Sequence, residues 1–191
     1  MRVKSNTCIL ALKTKRNKIL MAGDRQQTMA GFGKQSCPRS KIIKRSGLLL
    51  GGSGDGYLCE LITESLELPE FDLEKHTPFE YVHDVFFNRV HKVLEARKLF
   101  NKESGELIYD TEVCVLIGLS GELFECGISK ESGISINAMS CPYAIGCGAD
   151  YALGALYVAT GTDRERATIA LEAAAHNSAG CNAEIDILLG D

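Results

Sequence analysis

Apolar and polar positions along the chain change period several times, and each change predicts an element. Residues 8–12 (CILAL) and 19–22 (ILMA) are short apolar runs on either side of the basic stretch KTKRNK. That is the pattern of two strands joined by a solvated hairpin turn. Residues 41–44 and 48–50, separated by Ser46-Gly47, predict a second hairpin. Between them, 29–34 (MAGFGK) reads as irregular and Gly-rich, and Cys37-Pro38 breaks whatever precedes it. GGSGDG at 51–56 leads into an amphipathic run that places Leu58, Leu61, Ile62, Ser65 and Leu66 on one helical face.

The strongest helix start is Thr77-Pro78-Phe79-Glu80. It offers a Thr N-cap, Pro at the first helical position and Glu three residues after the cap. Apolar residues at 79, 82, 85, 86, 90, 93 and 94 sustain the helical spacing to about Leu99. Residues 101–105 read as a loop, and 112–119, 122–126 and 134–138 as three strands with short polar turns. A helix over 149–159 follows Gly146-Cys147-Gly148. Thr162-Asp163-Arg164-Glu165 is a second capping box for a helix to about Asn177, and 184–189 (EIDILL) is a last strand. Long stretches of one element type, without regular βαβ alternation, predict a layered α+β domain rather than a doubly wound sheet.

Composition narrows the function. The 191 residues are 45% hydrophobic and 24% charged, which suits one soluble globular domain. A net charge of −4 argues against nucleic acid as the main partner. The longest apolar runs fall far short of the roughly 20 residues of a membrane span. The apolar run near the start is shorter than the 7–15 residues of a secretory leader, so the expected location is cytoplasmic. Eight cysteines contain no Cys-x-x-Cys pair, which predicts buried reduced thiols rather than disulfides or zinc. No cofactor or metal is expected. The histidines do not assemble a ligand set: His83 and His91 are eight apart, and His176 suits a helix C-terminus.

Several short motifs gain meaning together. Thr7-Cys8-Ile9-Leu10 is followed by the hairpin and by Ala22-Gly23-Asp24. Next come Lys41-Ile42 and the small-residue turn holding Ser53-Gly54. Ala144-Ile145-Gly146-Cys147-Gly148 then precedes Tyr151-Ala152-Leu153-Gly154-Ala155. In this order, over nearly the whole chain, they resemble proteasome β-type subunits. The likeness is greatest to the bacterial peptidase of the HslV kind, an N-terminal-nucleophile hydrolase. The resemblance implies a four-layer α-β-β-α sandwich over 7–191, with 1–6 a short propeptide.

It also implies a threonine endopeptidase acting on peptides or unfolded protein. Thr7 would be the nucleophile, with its own α-amino group as base once 1–6 is removed. Asp24 and Lys41 would be the buried pair beside it, and the Gly54 backbone N–H the oxyanion donor. Cys147 stands where the family has serine, His176 where it has an aspartate, and Asn6 where a glycine precedes the threonine. A homo-oligomeric ring and an ATPase unfoldase partner are further implications of the resemblance. The turn at 179–182 is similar to a cation-binding loop of some relatives.

Alternatives remain open at this point. Cys8 is the competing nucleophile, because its ungapped separation from Asp24 fits the family better. A catalytically silent ring subunit or a small-molecule amidase would share the fold. GGSGDG leaves a nucleotide-binding module as a third alternative, although it lacks Gly-Lys-Ser/Thr.

Overall fold

The structure is a computed structural model that describes residues 6–29, 33–99, 108 and 112–191. In chain order it contains β1 (Ile9–Lys13), β2 (Ile19–Asp24), β3 (Gln26–Met29), β4 (Gly33–Ser36), β5 (Ile42–Arg45), β6 (Leu48–Gly54) and α1 (Gly56–Thr63). Helix α2 runs continuously from Pro78–Glu80 through a π-helical Tyr81–Phe86 to Phe87–Ala96. Then follow β7 (Glu112–Leu119), β8 (Glu122–Ser129), β9 (Gly133–Met139), β10 (Tyr143–Ile145), α3 (Ala149–Val158), α4 (Asp163–Asn177) and β11 (Ile185–Leu189).

Two antiparallel sheets carry the fold, one ordered β10-β1-β2-β11 and the other β5-β6-β7-β8-β9. Strand side chains alternate between faces, so residue parity decides which layer each joins. Cys8, just before β1, and Leu10 and Leu12 on it pack with Ala152, Leu156, Ala167, Ala170, Leu171 and Ala174 of α3 and α4. On the other parity, Ile9 and Ala11 meet Ile42, Leu49, Leu116 and Leu123 of the second sheet. That sheet turns Leu48, Leu50, Val113, Val115 and Ile117 outwards against Leu58, Ile62, Val82, Phe86 and Val90 of α1 and α2. Three apolar interfaces therefore separate four layers, helices–sheet–sheet–helices, the sandwich expected from the resemblance.

Both predicted capping boxes form. Thr77 and Thr162 each accept from the backbone N–H of the Glu three residues on, and that Glu carboxylate reaches back to the cap. Several expectations need correction. Residues 29, 33 and 34 are not irregular but belong to the small β3–β4 hairpin; its tip, 30–32, lies outside the described residues, as does the loop expected at 101–105. The GGSGDG segment is largely strand, with 51–54 inside β6 and Asp55 capping α1 through the Leu58 N–H. Gly51 is there for packing: a Cβ would come within 3.0 Å of Met21, Ile42 and Ile9. Helix α1 ends at Thr63, before Ser65 and Leu66, and α2 ends at Ala96 rather than near Leu99. Strand β10, three residues long, carries too short a pattern to be read from the sequence.

Two substitutions separate sheet packing from local helix chemistry. Leu116→Ala opens a hole between the sheets and is expected to cost about 2–5 kcal/mol in urea unfolding. Thr162→Ala removes one cap and is expected to cost about 1 kcal/mol.

Candidate active site

The alternation that builds the core also separates Thr7 from Cys8. Thr7 has the parity of Ile9 and Ala11, so its side chain enters the layer between the sheets, while Cys8 turns towards the helices. Lys41 reaches Thr7 from just before β5, outside the strand alternation because its neighbour Ile42 already faces that layer, and Asp24 closes β2. The three meet. Thr7 Oγ1 donates to Asp24 Oδ1 at 2.7 Å and accepts from Lys41 Nζ at 2.7 Å; Lys41 Nζ is also 3.1 Å from Asp24 Oδ1. Thr7 and Asp24 are buried, and the Lys41 side chain is 17% exposed.

Asp24 is held by more than its ion pair. Its Oδ1 also accepts from the Cys8 backbone N–H at 2.8 Å, and Oδ2 accepts from the Gln26 N–H at 2.9 Å and the Asn182 N–H at 3.3 Å. Five donors on one buried carboxylate fix its position and keep a negative charge tolerable away from water. The loop after α4 is fixed in turn. Arg25 N–H donates to Asn182 Oδ1, and Gln26 Nε2 to the Ala179 carbonyl.

Cys147 approaches from the turn between β10 and α3. Its Sγ lies 3.5 Å from the Thr7 carbonyl oxygen, 3.1 Å from Ser178 Oγ and 3.9 Å from Cys181 Sγ. Gly146 makes this approach feasible: its φ is +91°, and a Cβ would sit 2.2 Å from the Thr7 carbonyl. The Cys147 thiol is held well below its ordinary value, first by the hydrogen bond from Cys181 and then by Ser178, against the opposing effect of burial. The proton stays with Cys181, whose pKa is correspondingly raised.

Of the residues expected at the site, Thr7, Asp24, Lys41 and Cys147 come together. Gly54, expected as the oxyanion donor, lies at the end of β6. Gly52 donates to the Lys41 carbonyl, whereas Gly54 stands opposite Val113, about 7 Å further along β6. Its φ of +128° and a would-be Cβ 2.1 Å from the Glu112 carbonyl explain the glycine by strand crowding. His176 is exposed at the end of α4; the group that this helix end sends towards the site is Ser178. Gln26, Ser178, Cys181 and Asn182 are not among the expected site residues; the last three lie in the polar run HNSAGCN with its turn at 179–182, and Gln26 carried no signal. No cluster of potential metal ligands occurs among the described residues, and no described helix is long and apolar enough to cross a membrane.

Cys8 differs from Thr7 in chemistry as well as direction. Burial first, and the Asp24 charge second, push its thiol up to about 12 from 9.0. Because the folded value is the higher, the contribution to stability is intact below pH 9 and is lost as pH rises from 9 towards 12. Urea unfolding at pH 8 and pH 10.5 should show an alkaline loss that is smaller in Cys8→Ala. Asp24→Ala strands three backbone donors and the Lys41 charge, and is expected to cost about 3–5 kcal/mol in the same measurement at pH 7.

No family model matches this sequence, and no curated protein does. Solved structures do match. BPH from Thiobacillus denitrificans, in a complex with epoxomicin, has a TM-score of 0.71 at 20% identity, covering 96% of this chain and 98% of that one. Eukaryotic HslV from Trypanosoma brucei has a TM-score of 0.62 at 17% identity, covering 95% and 98%. The ancestral β-subunit Anbu from Yersinia bercovieri has a TM-score of 0.61 at 12% identity, covering 96% and 81%. With its four layers and these neighbours, the chain has the proteasome β-type, HslV-like fold of N-terminal-nucleophile hydrolases.

Proposed function

We propose that this chain is the peptidase subunit of a self-compartmentalising protease, with Thr7 as its nucleophile. One observation carries the reading: the Thr7 hydroxyl sits 2.7 Å from both a lysine ammonium and a buried carboxylate. A free threonine hydroxyl is a weak nucleophile at neutral pH. Here Asp24 aligns its proton, while the Lys41 charge favours the alkoxide that forms as the proton leaves. A structural role alone would not require a polar side chain at this inter-sheet position.

The same geometry supports removal of residues 1–6. Lys41 Nζ is 3.4 Å from the Asn6 carbonyl oxygen, so the ammonium can stabilise negative charge developing there. Attack of Thr7 Oγ1 on that carbonyl carbon moves the acyl group from nitrogen to oxygen. The hydroxyl proton passes by way of Asp24 to the departing Thr7 nitrogen. Water then hydrolyses the ester, releasing 1–6 and freeing the α-amino group. With an ordinary pKa of about 7.7–8.0, that amine can take the hydroxyl proton in later turnovers. Each turnover forms an ester of Thr7 with the substrate acyl group, passes the proton to the leaving amine and ends with hydrolysis.

Unfolded protein or peptide as substrate, a homo-oligomeric ring, an ATPase unfoldase partner and a cytoplasmic location complete the proposal. They rest on the shared fold and the sequence resemblance. Cys8 is the weaker nucleophile because it faces the helical layer and stays protonated.

Intact-mass measurement of the purified full chain tests the reading. Wild type is expected to lose residues 1–6, whereas Thr7→Ala and Lys41→Ala keep them. Hydrolysis of unstructured peptides should fall on the order of 10³-fold or more in both variants. An intact N-terminus in wild type would overturn the threonine mechanism and favour a silent subunit. A mature chain starting one residue later would transfer the role to Cys8. Turnover of short amides without turnover of peptides would favour the amidase.

A further inference from the structure

The two sulfurs behind the nucleophile have no part in the mechanism above, yet they are arranged for chemistry of their own. Cys147 and Cys181 are both free thiols, 3.9 Å apart at Sγ. A disulfide needs about 2.05 Å between sulfurs, so closing the bond requires an approach of about 2 Å, within reach of side-chain rotation and a small loop shift. They lie on separate segments: Cys147 immediately before the N-terminus of α3, Cys181 in the turn that follows α4.

Their environments are unequal in the way that a reactive and a resolving thiol require. Cys147 is half-buried, faces the Ser178 hydroxyl and the Cys181 thiol, and lies where the helix field favours negative charge. Cys181 is only 5% exposed and keeps its proton. By contrast, Cys8, Cys59 and Cys126 are each pushed up to about 12 by burial, which leaves them poor nucleophiles at neutral pH.

We infer that Cys147 and Cys181 form a peroxide-responsive dithiol, closing to a disulfide beside Thr7 that reversibly switches the site off. The Cys147 thiolate attacks one oxygen of hydrogen peroxide, giving the sulfenic acid and hydroxide. The Cys181 thiol then attacks the Cys147 sulfur. The S–O bond breaks as the S–S bond forms, and the oxygen leaves as water with the Cys181 proton. The two thiols lose two electrons in all, and one peroxide is reduced.

The link from sulfur to nucleophile is short. Closing the bond ends the Cys147 contacts with Ser178 and the Thr7 carbonyl. It also draws on the turn whose Asn182 N–H holds Asp24 and whose Ala179 carbonyl is held by Gln26. That turn already lies against Cys147, since a Cβ on Gly180 would be 2.4 Å from its Sγ. Oxidation therefore acts on the carboxylate that aligns Thr7.

The test treats the full-length protein with a few equivalents of hydrogen peroxide, then maps cysteines under non-reducing conditions by mass spectrometry. A 147–181 cross-link is expected, with a loss of about 2 Da that dithiothreitol reverses. In Cys181→Ser the cross-link should be absent and dimedone should trap the sulfenic acid on Cys147; in Cys147→Ser neither should appear. Peptide turnover of the cross-linked wild type should fall at least tenfold and return on reduction. Cross-links only between other cysteines, or Cys147 found only as sulfinic or sulfonic acid, would overturn the dithiol. A cross-linked protein with unchanged turnover would overturn the switch. Absence of turnover before oxidation would count against the peptidase reading, while the cross-link map, which needs no turnover, still decides the dithiol.

Discussion

The buried carboxylate of Asp24 is the constraint around which the functional end of this molecule is organised. An ionised carboxylate inside a protein is tolerable only when charges and donors surround it. Asp24 draws them from the residues just before β1, the start of β3, the residue before β5 and the turn after α4: Thr7 Oγ1, the Cys8, Gln26 and Asn182 backbone N–H groups, and Lys41 Nζ. Satisfying this one charge ties together the start of the chain, the second sheet and the last loop. The contacts of the Thr7 hydroxyl come with it.

The four layers serve that arrangement. Thr7 and Lys41 lead into strands of different sheets, so their 2.7 Å contact exists only because the inner faces pack closely around Ile9, Met21, Ile42, Leu49 and Leu116. Small residues permit the approach. Gly51 leaves room for Ile9, Met21 and Ile42, and Gly146 lets the β10–α3 turn touch the Thr7 carbonyl. The helical layers stabilise the sheets from outside and leave the inter-sheet edge to the polar groups. Core packing and the geometry of this site are therefore one problem: a shift between the sheets would separate ammonium from hydroxyl.

The turn from Ser178 to Asn182 gives this site its individual character. It supplies a hydroxyl, a thiol and two backbone contacts, while His176 stays exposed. A thiol at position 147 is a weaker hydrogen-bond partner than a hydroxyl, but it brings redox chemistry that a hydroxyl lacks. The two sulfurs are close because Gly180 allows the turn to lie on Cys147.

The sequence by itself determined much of the element order. The hairpins, both capping boxes and the three long strands followed from period and end chemistry, because these are local properties of a dozen residues or fewer. The motif order also pointed to Thr7, Asp24 and Lys41, spread over 34 positions of chain. Yet CILAL is apolar at every position, so alternation could not say which of Thr7 and Cys8 faces the second sheet. Only packing decided that, by covering one parity with helices and the other with a sheet. Register, too, is a tertiary quantity: it set Gly52 beside Lys41 and left Gly54 further along the strand. Ser178, Cys181 and Asn182 lay in a polar run with no assigned place at the site until the fold returned it to residues 7, 24 and 147. Contacts across more than a hundred residues of chain leave no period in the sequence, and so they became legible only in three dimensions.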